Sequence, residues 1–188
     1  MTRWFSIKPA ITFRGRSFKG LRGFSGKPFH PPLTDIPVTA YVFALVFDLI
    51  SFFSSGELAE NMYNAATFVL IGGLIVSIPT ALTGFWDWLK STPKHTQARR
   101  TANWHMTIMF TVTALVIVGL LARDLEDGSV NTIGMVLSVL AGGLVSLGAT
   151  YGGSLVYDYG FNVETSGDHP VWHESEEDVF PGHDRQPD

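Results

Sequence analysis

Residues 133–157 read IGMVLSVLAGGLVSLGATYGGSLVY, a stretch without a single charged side chain. A hydrocarbon core about 30 Å thick needs about 20 helical residues, so this run crosses a bilayer with length to spare. Three more runs precede it. Met106–Ala122 is also free of charge, Ala65–Leu89 carries only Asp87, and Val38–Phe53 carries only Asp48. The two shorter runs reach spanning length by taking in neighbours such as Ile36 and Asn103. A buried core helix of a soluble protein accounts for one such run. Four of them in 188 residues leave no polar surface to enclose them. The reading is an all-α, four-helix transmembrane bundle with short loops and spans at about 36–54, 64–89, 103–122 and 132–157.

Charge orients the bundle. Of 13 Lys and Arg, seven precede His30, and Lys90, Lys94, Arg99 and Arg100 lie between spans two and three. Arg185 is in the tail, and only Arg123 falls in the opposite loops, among Glu57, Glu60, Asp124, Glu126 and Asp127. Positive residues mark the cytoplasmic side, which predicts both termini in the cytoplasm and a multi-pass protein of the inner (plasma) membrane. The basic N-terminus lacks an apolar segment with a small-residue cleavage site, so no secretory signal peptide is expected. With no cysteine, the chain offers no disulfide, thiolate metal site or iron–sulfur ligand.

Three regions follow. Residues 1–29 interleave basic residues with Phe5, Phe13, Phe18 and Phe24, a mixture suited to anionic lipid at the inner leaflet and, attached to a membrane domain, not to nucleic acid. Residues 30–160 form the membrane domain. Residues 161–188 are acidic around Glu174–Asp178 and expected to be disordered. Small residues recur every four positions in span four (Ser138, Gly142, Ser146; Gly148, Gly152), which permits close helix approach, within the bundle or in a homo-oligomer. Spans one–two and three–four have the layout of distant hairpin copies, although no convincing repeat is visible in the residues themselves.

Four crossings bring the starts of spans one and three and the ends of spans two and four into one layer. That layer collects His30-Pro31-Pro32, Asp35, Phe85-Trp86-Asp87-Trp88, Trp104-His105 and Gly152-Gly153-Ser154-Leu155-Val156-Tyr157. Neutral imidazole is a metal or haem ligand and a proton carrier near neutral pH. His30 and His105 are therefore the candidate cofactor ligands, with Asp35, Trp86, Asp87, Trp104 and Tyr157 as supports around them. Asp35 and Asp87 are placed to orient the rings. The plainer alternatives are interfacial histidines that satisfy hydrogen bonds, and an Asp87 ion-paired with His105, Arg99 or Arg100. Pro31 and Pro32 are expected to hold His30 extended, and residues 54–61 to form a loop. Asp48, set inside span one, is a functional candidate by default; the plainer alternative is a carboxyl hydrogen-bonded to Asn64 or Ser51, and without a cation in any span it is expected to be neutral, with a neighbour such as Asn64 as partner. His169 and His173 have metal-ligand spacing, but Pro170 argues against the helix such a site needs. No phosphate loop, dinucleotide fingerprint or nucleophile elbow is present.

His30-Pro31-Pro32-Leu33, Trp86-Asp87-Trp88, Trp104-His105 and the Gly152–Tyr157 segment, in that order around four spans, resemble the bacterial domain-of-unknown-function family 2231 over about residues 28–163. The arm at Gly23–Lys27 is similar to actinobacterial members. The resemblance implies a four-span membrane module without an established activity. Some relatives carry a Rieske iron–sulfur domain, which implies a redox setting for them. Family members often end in Tyr-x-His-Gly, where this chain has Tyr157-Asp158-Tyr159-Gly160 and so lacks a third candidate ligand.

Three functions follow as expectations. The first is a redox or cofactor-binding subunit with haem b or a metal held by His30 and His105, working with a membrane redox partner and without autonomous enzymatic activity. The second is a scaffold whose arm and tail recruit partners. The third is a small-solute or proton carrier using Asp48, Asn64 and the break at Pro79.

Overall fold

The computed structural model describes residues 5–6, 11–13, 16–18, 29–123, 129–159 and 161. The acidic tail and its histidines lie outside the described residues, as does most of the N-terminal arm. Of the arm, three short strands, β1 (Phe5–Ser6), β2 (Ile11–Phe13) and β3 (Arg16–Phe18), pair antiparallel in that order.

Four helices make up the rest: α1 (His30–Phe53), α2 (Glu57–Ser91), α3 (Gln97–Leu121) and α4 (Thr132–Tyr157). All four are long and apolar enough to cross a membrane. They run up and down with short connections. α1 packs on α2 and α4, α3 packs on α4, and the α2–α3 contact is the slightest. Large apolar side chains face outward all along the bundle, among them Phe68, Ile75, Leu82 and Ile133, with Phe68 73% exposed. A helix apolar on its outer face as well as its inner one belongs in lipid. The chain is a multi-pass integral membrane protein.

The helices begin earlier than the apolar runs. α1 starts at His30, so His30 is helical and not extended. Pro31 and Pro32 fall in its first turn, where backbone N–H groups have no intrahelical acceptor to lose. Pro37 sits deeper, and its missing N–H frees the carbonyl of Leu33; the Thr80 hydroxyl of α2 donates to that carbonyl at 3.3 Å. The loop expected at 54–61 shrinks to a turn, because Gly56 at φ +63° reverses the chain and Glu57 and Glu60 occupy the N-terminal turn of α2. Acidic residues there complement the helix dipole. α3 is capped by Thr96, whose hydroxyl accepts from the Arg99 N–H at 3.2 Å, and α4 by Asn131, which accepts from the Gly134 N–H at 2.8 Å.

The core runs through all four helices: Tyr41 and Ala44 from α1, Ala66 and Leu70 from α2, Val112 and Val116 from α3, Ala141 and Val145 from α4. Glycines set its tightness. A Cβ on Gly73 would lie 2.8 Å from both Ala40 Cβ and Tyr41 Cε1, and one on Gly142 would lie 2.7 Å from Leu45 Cδ2. Of the small residues repeated along α4, Ser138, Gly142 and Gly148 are buried with Ala141 and Val145 and pack between helices of one chain, whereas Ser146 is exposed.

Candidate functional site

At the end of the bundle where α1 and α3 begin and α2 and α4 finish, the helices part around a cavity of about 420 Å³. This is a common size for a small-molecule or cofactor site. Val38, Phe85, Trp88, Met106, Met109 and Phe110 give it a mainly apolar wall, and His30, Asp35, Asp87 and His105 supply its ionisable groups. No lysine or arginine is among the described residues that line it.

The two histidines meet in it, with ring centroids 6.3 Å apart and planes at 81°. Each ring is held the same way by the partner helix of its own hairpin. His30 Nδ1 donates to the Thr80 carbonyl of α2 at 3.0 Å, and His105 Nδ1 donates to the Gly148 carbonyl of α4 at 2.8 Å. A carbonyl can only accept, so each Nδ1 carries a proton, and in the neutral ring the lone pair sits on Nε2. That is the tautomer of a metal-ligating histidine anchored by its other nitrogen.

One helical turn beyond each carbonyl stands a glycine that makes room for the ring. A Cβ on Gly84 would lie 2.5 Å from His30 Cε1, and one on Gly152 would lie 3.1 Å from His105 Cε1. Both hairpins thus carry the same device: a histidine on the first helix, a backbone acceptor on the second, and a glycine four residues further on. In this respect the hairpins do repeat.

Among the expected supports, Asp35 and Asp87 line the cavity, Asp87 as a buried residue, and each ring is oriented through Nδ1 by a backbone carbonyl. Tyr157 borders the cavity and is largely exposed. Trp86 and Trp104 are not among its lining residues; Trp104 is 61% exposed and both tryptophans lie on the outer surface. Trp88 takes the inner place. Its ring stacks on Phe85, its Nε1 donates to Asn103 Oδ1 at 2.8 Å, and the Arg99 guanidinium lies 3.5 Å from its centroid while donating to the Trp88 carbonyl. This clasp ties α2 to α3 at the rim. Helical spacing contains the signal: Ser77, Thr80, Gly84 and Asp87 form one stripe, and Trp86, two residues past Gly84, points about 200° away from it.

Asp48 lies roughly 27 Å along α1 from His30, at the other end of the bundle. Its partners are the Arg123 guanidinium and the Ser138 hydroxyl, not Asn64. The side chains of Arg123 and Asp48 are 4% and 0% exposed. Arg123 follows α3 and reaches back to α1 and α2, donating also to Thr67 Oγ1 at 2.9 Å and the Tyr63 carbonyl at 3.3 Å, with its guanidinium 4.8 Å from the Tyr63 ring. Asp48 Oδ2 takes both bonds, and Oδ1 has no partner. Asp48 does not line the histidine cavity; the Tyr41–Val112–Val145 core lies between the two sites.

A model of the family described as predicted membrane protein (DUF2231) matches residues 26–165. No curated protein and no solved structure matches the chain.

Proposed function

The chain belongs to the DUF2231 family of predicted membrane proteins, and from that premise we propose that it is a cofactor-binding subunit of the membrane whose His30 and His105 jointly hold a metal centre. One observation carries the reading: two imidazoles from different hairpins converge at 6.3 Å in one cavity, each with its proton committed to a backbone carbonyl through Nδ1. The matched glycine clearances on two helices let both rings lie against their backbone acceptors.

Such a centre supplies Lewis acidity or one-electron chemistry when bound. The protein holds the two Nε2 atoms in position, fixes their tautomers and shields them with apolar side chains. A single centre near one face supports a relay to a membrane redox partner, not a path across the bilayer. The carrier alternative draws less support. Asp48 is engaged by Arg123 and Ser138 and is separated from the cavity by the core. His30 and His105 would equally be the ligands of haem b; no Lys or Arg is among the described lining residues, and the Arg99 guanidinium lies at the rim against Trp88.

The test is cofactor retention by the purified full-length protein. His30→Ala and His105→Ala are each expected to abolish it, whereas replacing His169, His173 or His183 leaves it intact. Loss of a ligand costs more than the roughly 10–100-fold in affinity lost with a residue that only orients one. A wild-type protein with neither haem nor a stoichiometric metal rejects the reading in favour of a scaffold.

The same proposal places the cavity at the cytoplasmic face of the plasma membrane, from the distribution of basic residues. A topology reporter fused after Asp188 or inserted between Lys94 and Gln97 is expected to report cytoplasm, and one at Gly56 the opposite side. Finding Gly56 and Lys94 on one side overturns the orientation and the four crossings together.

A further inference from the structure

We infer that the metal held at this site is a single cuprous ion, bound by the His30 and His105 imidazoles with thioether sulfur from α3 beside them; the inference rests on the cofactor reading above and specifies its ligand. Coordination number is the first argument. Among the described residues no group of three or more His, Cys, Asp or Glu could hold a metal. Zinc sites take at least three such protein ligands, and structural ones four. Two imidazoles alone suffice for a macrocycle that brings its own four donors or for a metal content with few ligands. Soft thioether donors select monovalent copper among the ions that imidazole suits.

The second argument is distance. Two metal–imidazole bonds of about 2.0 Å in line, with the half-widths of the two rings, separate the centroids by about 6 Å. The observed 6.3 Å matches that separation, with the planes nearly perpendicular, and lies also within the range of an ordinary edge contact between rings.

The third argument is the neighbouring sulfur. Met106 and Met109 both line the cavity. Met109 is one turn along α3 from His105, hence on the same helical face. A Cβ built on Gly148 would lie 2.6 Å from Met109 Sδ, so this sulfur packs against the residue whose carbonyl anchors the His105 ring.

The experiment uses the full-length protein in detergent, loaded with Cu(I) under ascorbate and challenged with bicinchoninate as a competing chromophoric chelator. The expected result is one copper per chain surviving the challenge. The X-ray absorption edge should be that of Cu(I), and its fine structure should contain nitrogen and sulfur scatterers. Met109→Leu keeps the volume of the side chain and, as the loss of a ligand, is expected to weaken Cu(I) binding by more than the roughly 10–100-fold of a residue that only orients one, without altering the unfolding temperature. His30→Ala and His105→Ala are expected to lose the ion, and a triple replacement of His169, His173 and His183 to keep it. Copper retained equally by the His30 and His105 variants is adventitious and overturns the inference. Haem retained in place of copper, and lost in those two variants, overturns the inference and leaves the cofactor reading standing. Retention of neither copper nor haem overturns both.

Discussion

Asp48→Leu is expected to destabilise the bundle by about 3–5 kcal/mol, the cost of leaving a buried charge without its counter-ion. The charge left behind belongs to Arg123, whose side chain is nearly inaccessible to solvent and has no second carboxylate among its described partners. Arg123→Met is expected to cost a similar amount, because it strands Asp48 with only the Ser138 hydroxyl. The double variant Asp48→Leu/Arg123→Met should recover much of either loss, since a buried ion pair replaced by apolar residues of similar volume is often neutral in stability. The measurement is unfolding in mixed micelles for the four proteins, with the coupling read from the double-mutant cycle. If the double variant is as unstable as the sum of the single ones, the pair contributes nothing through its mutual attraction.

The second large effect is expected at a residue with no functional group. Gly84→Val places a Cβ and two methyls where the His30 ring lies, since even the Cβ falls 2.5 Å from Cε1. The ring has to leave, and its bond to the Thr80 carbonyl goes with it. Overpacking of this kind typically costs about 1–3 kcal/mol, but the larger consequence is for the site: cofactor retention should fall as far as in His30→Ala while the helices still assemble. Gly152→Val is the twin experiment against His105, with a milder outcome expected because the clearance is wider, 3.1 Å. Gly143→Val is the control, as nothing lies within 4 Å of a Cβ there. Equal cofactor retention by all three variants would falsify the view that these glycines exist to seat the rings.

The crossings were legible because charge is excluded from them. In Met106–Ala122 and Ile133–Tyr157 nothing competes with a membrane reading. The convergence of His30 and His105 was equally legible, for it follows from counting crossings and not from any side-chain detail. What holds the rings was not. The Thr80 and Gly148 acceptors are backbone atoms, which every residue has, and a sequence gives no hint that one carbonyl among many receives an imidazole. The carboxylates that the sequence offers for that task, Asp35 and Asp87, do reach the cavity. Pro31 and Pro32 misled on the start of α1, because a proline disfavours helix in the residue before it yet fits the first turn well. Arg123 stands in the sequence as the one cation among the acidic residues of the opposite loops. The link to Asp48 spans 75 positions and depends on how the α3 terminus folds back over α1 and α2, which periodicity within single helices does not reveal.

Because the two imidazoles belong to separate hairpins, neither half of the chain owns a complete site. α1–α2 contributes His30 with its seat, α3–α4 contributes His105 with its own, and the contact between α2 and α3 is slight. A ligand engaging both rings therefore recognises only the assembled protein, and by mass action it must favour assembly. At a free concentration one hundred times its dissociation constant, that linkage amounts to about 2.7 kcal/mol. On the cofactor reading proposed above, supply of the ligand would then be a form of quality control during insertion. A chain whose hairpins had docked would be filled and made durable, while one starved of ligand would stay nearer the threshold at which cellular proteases remove it.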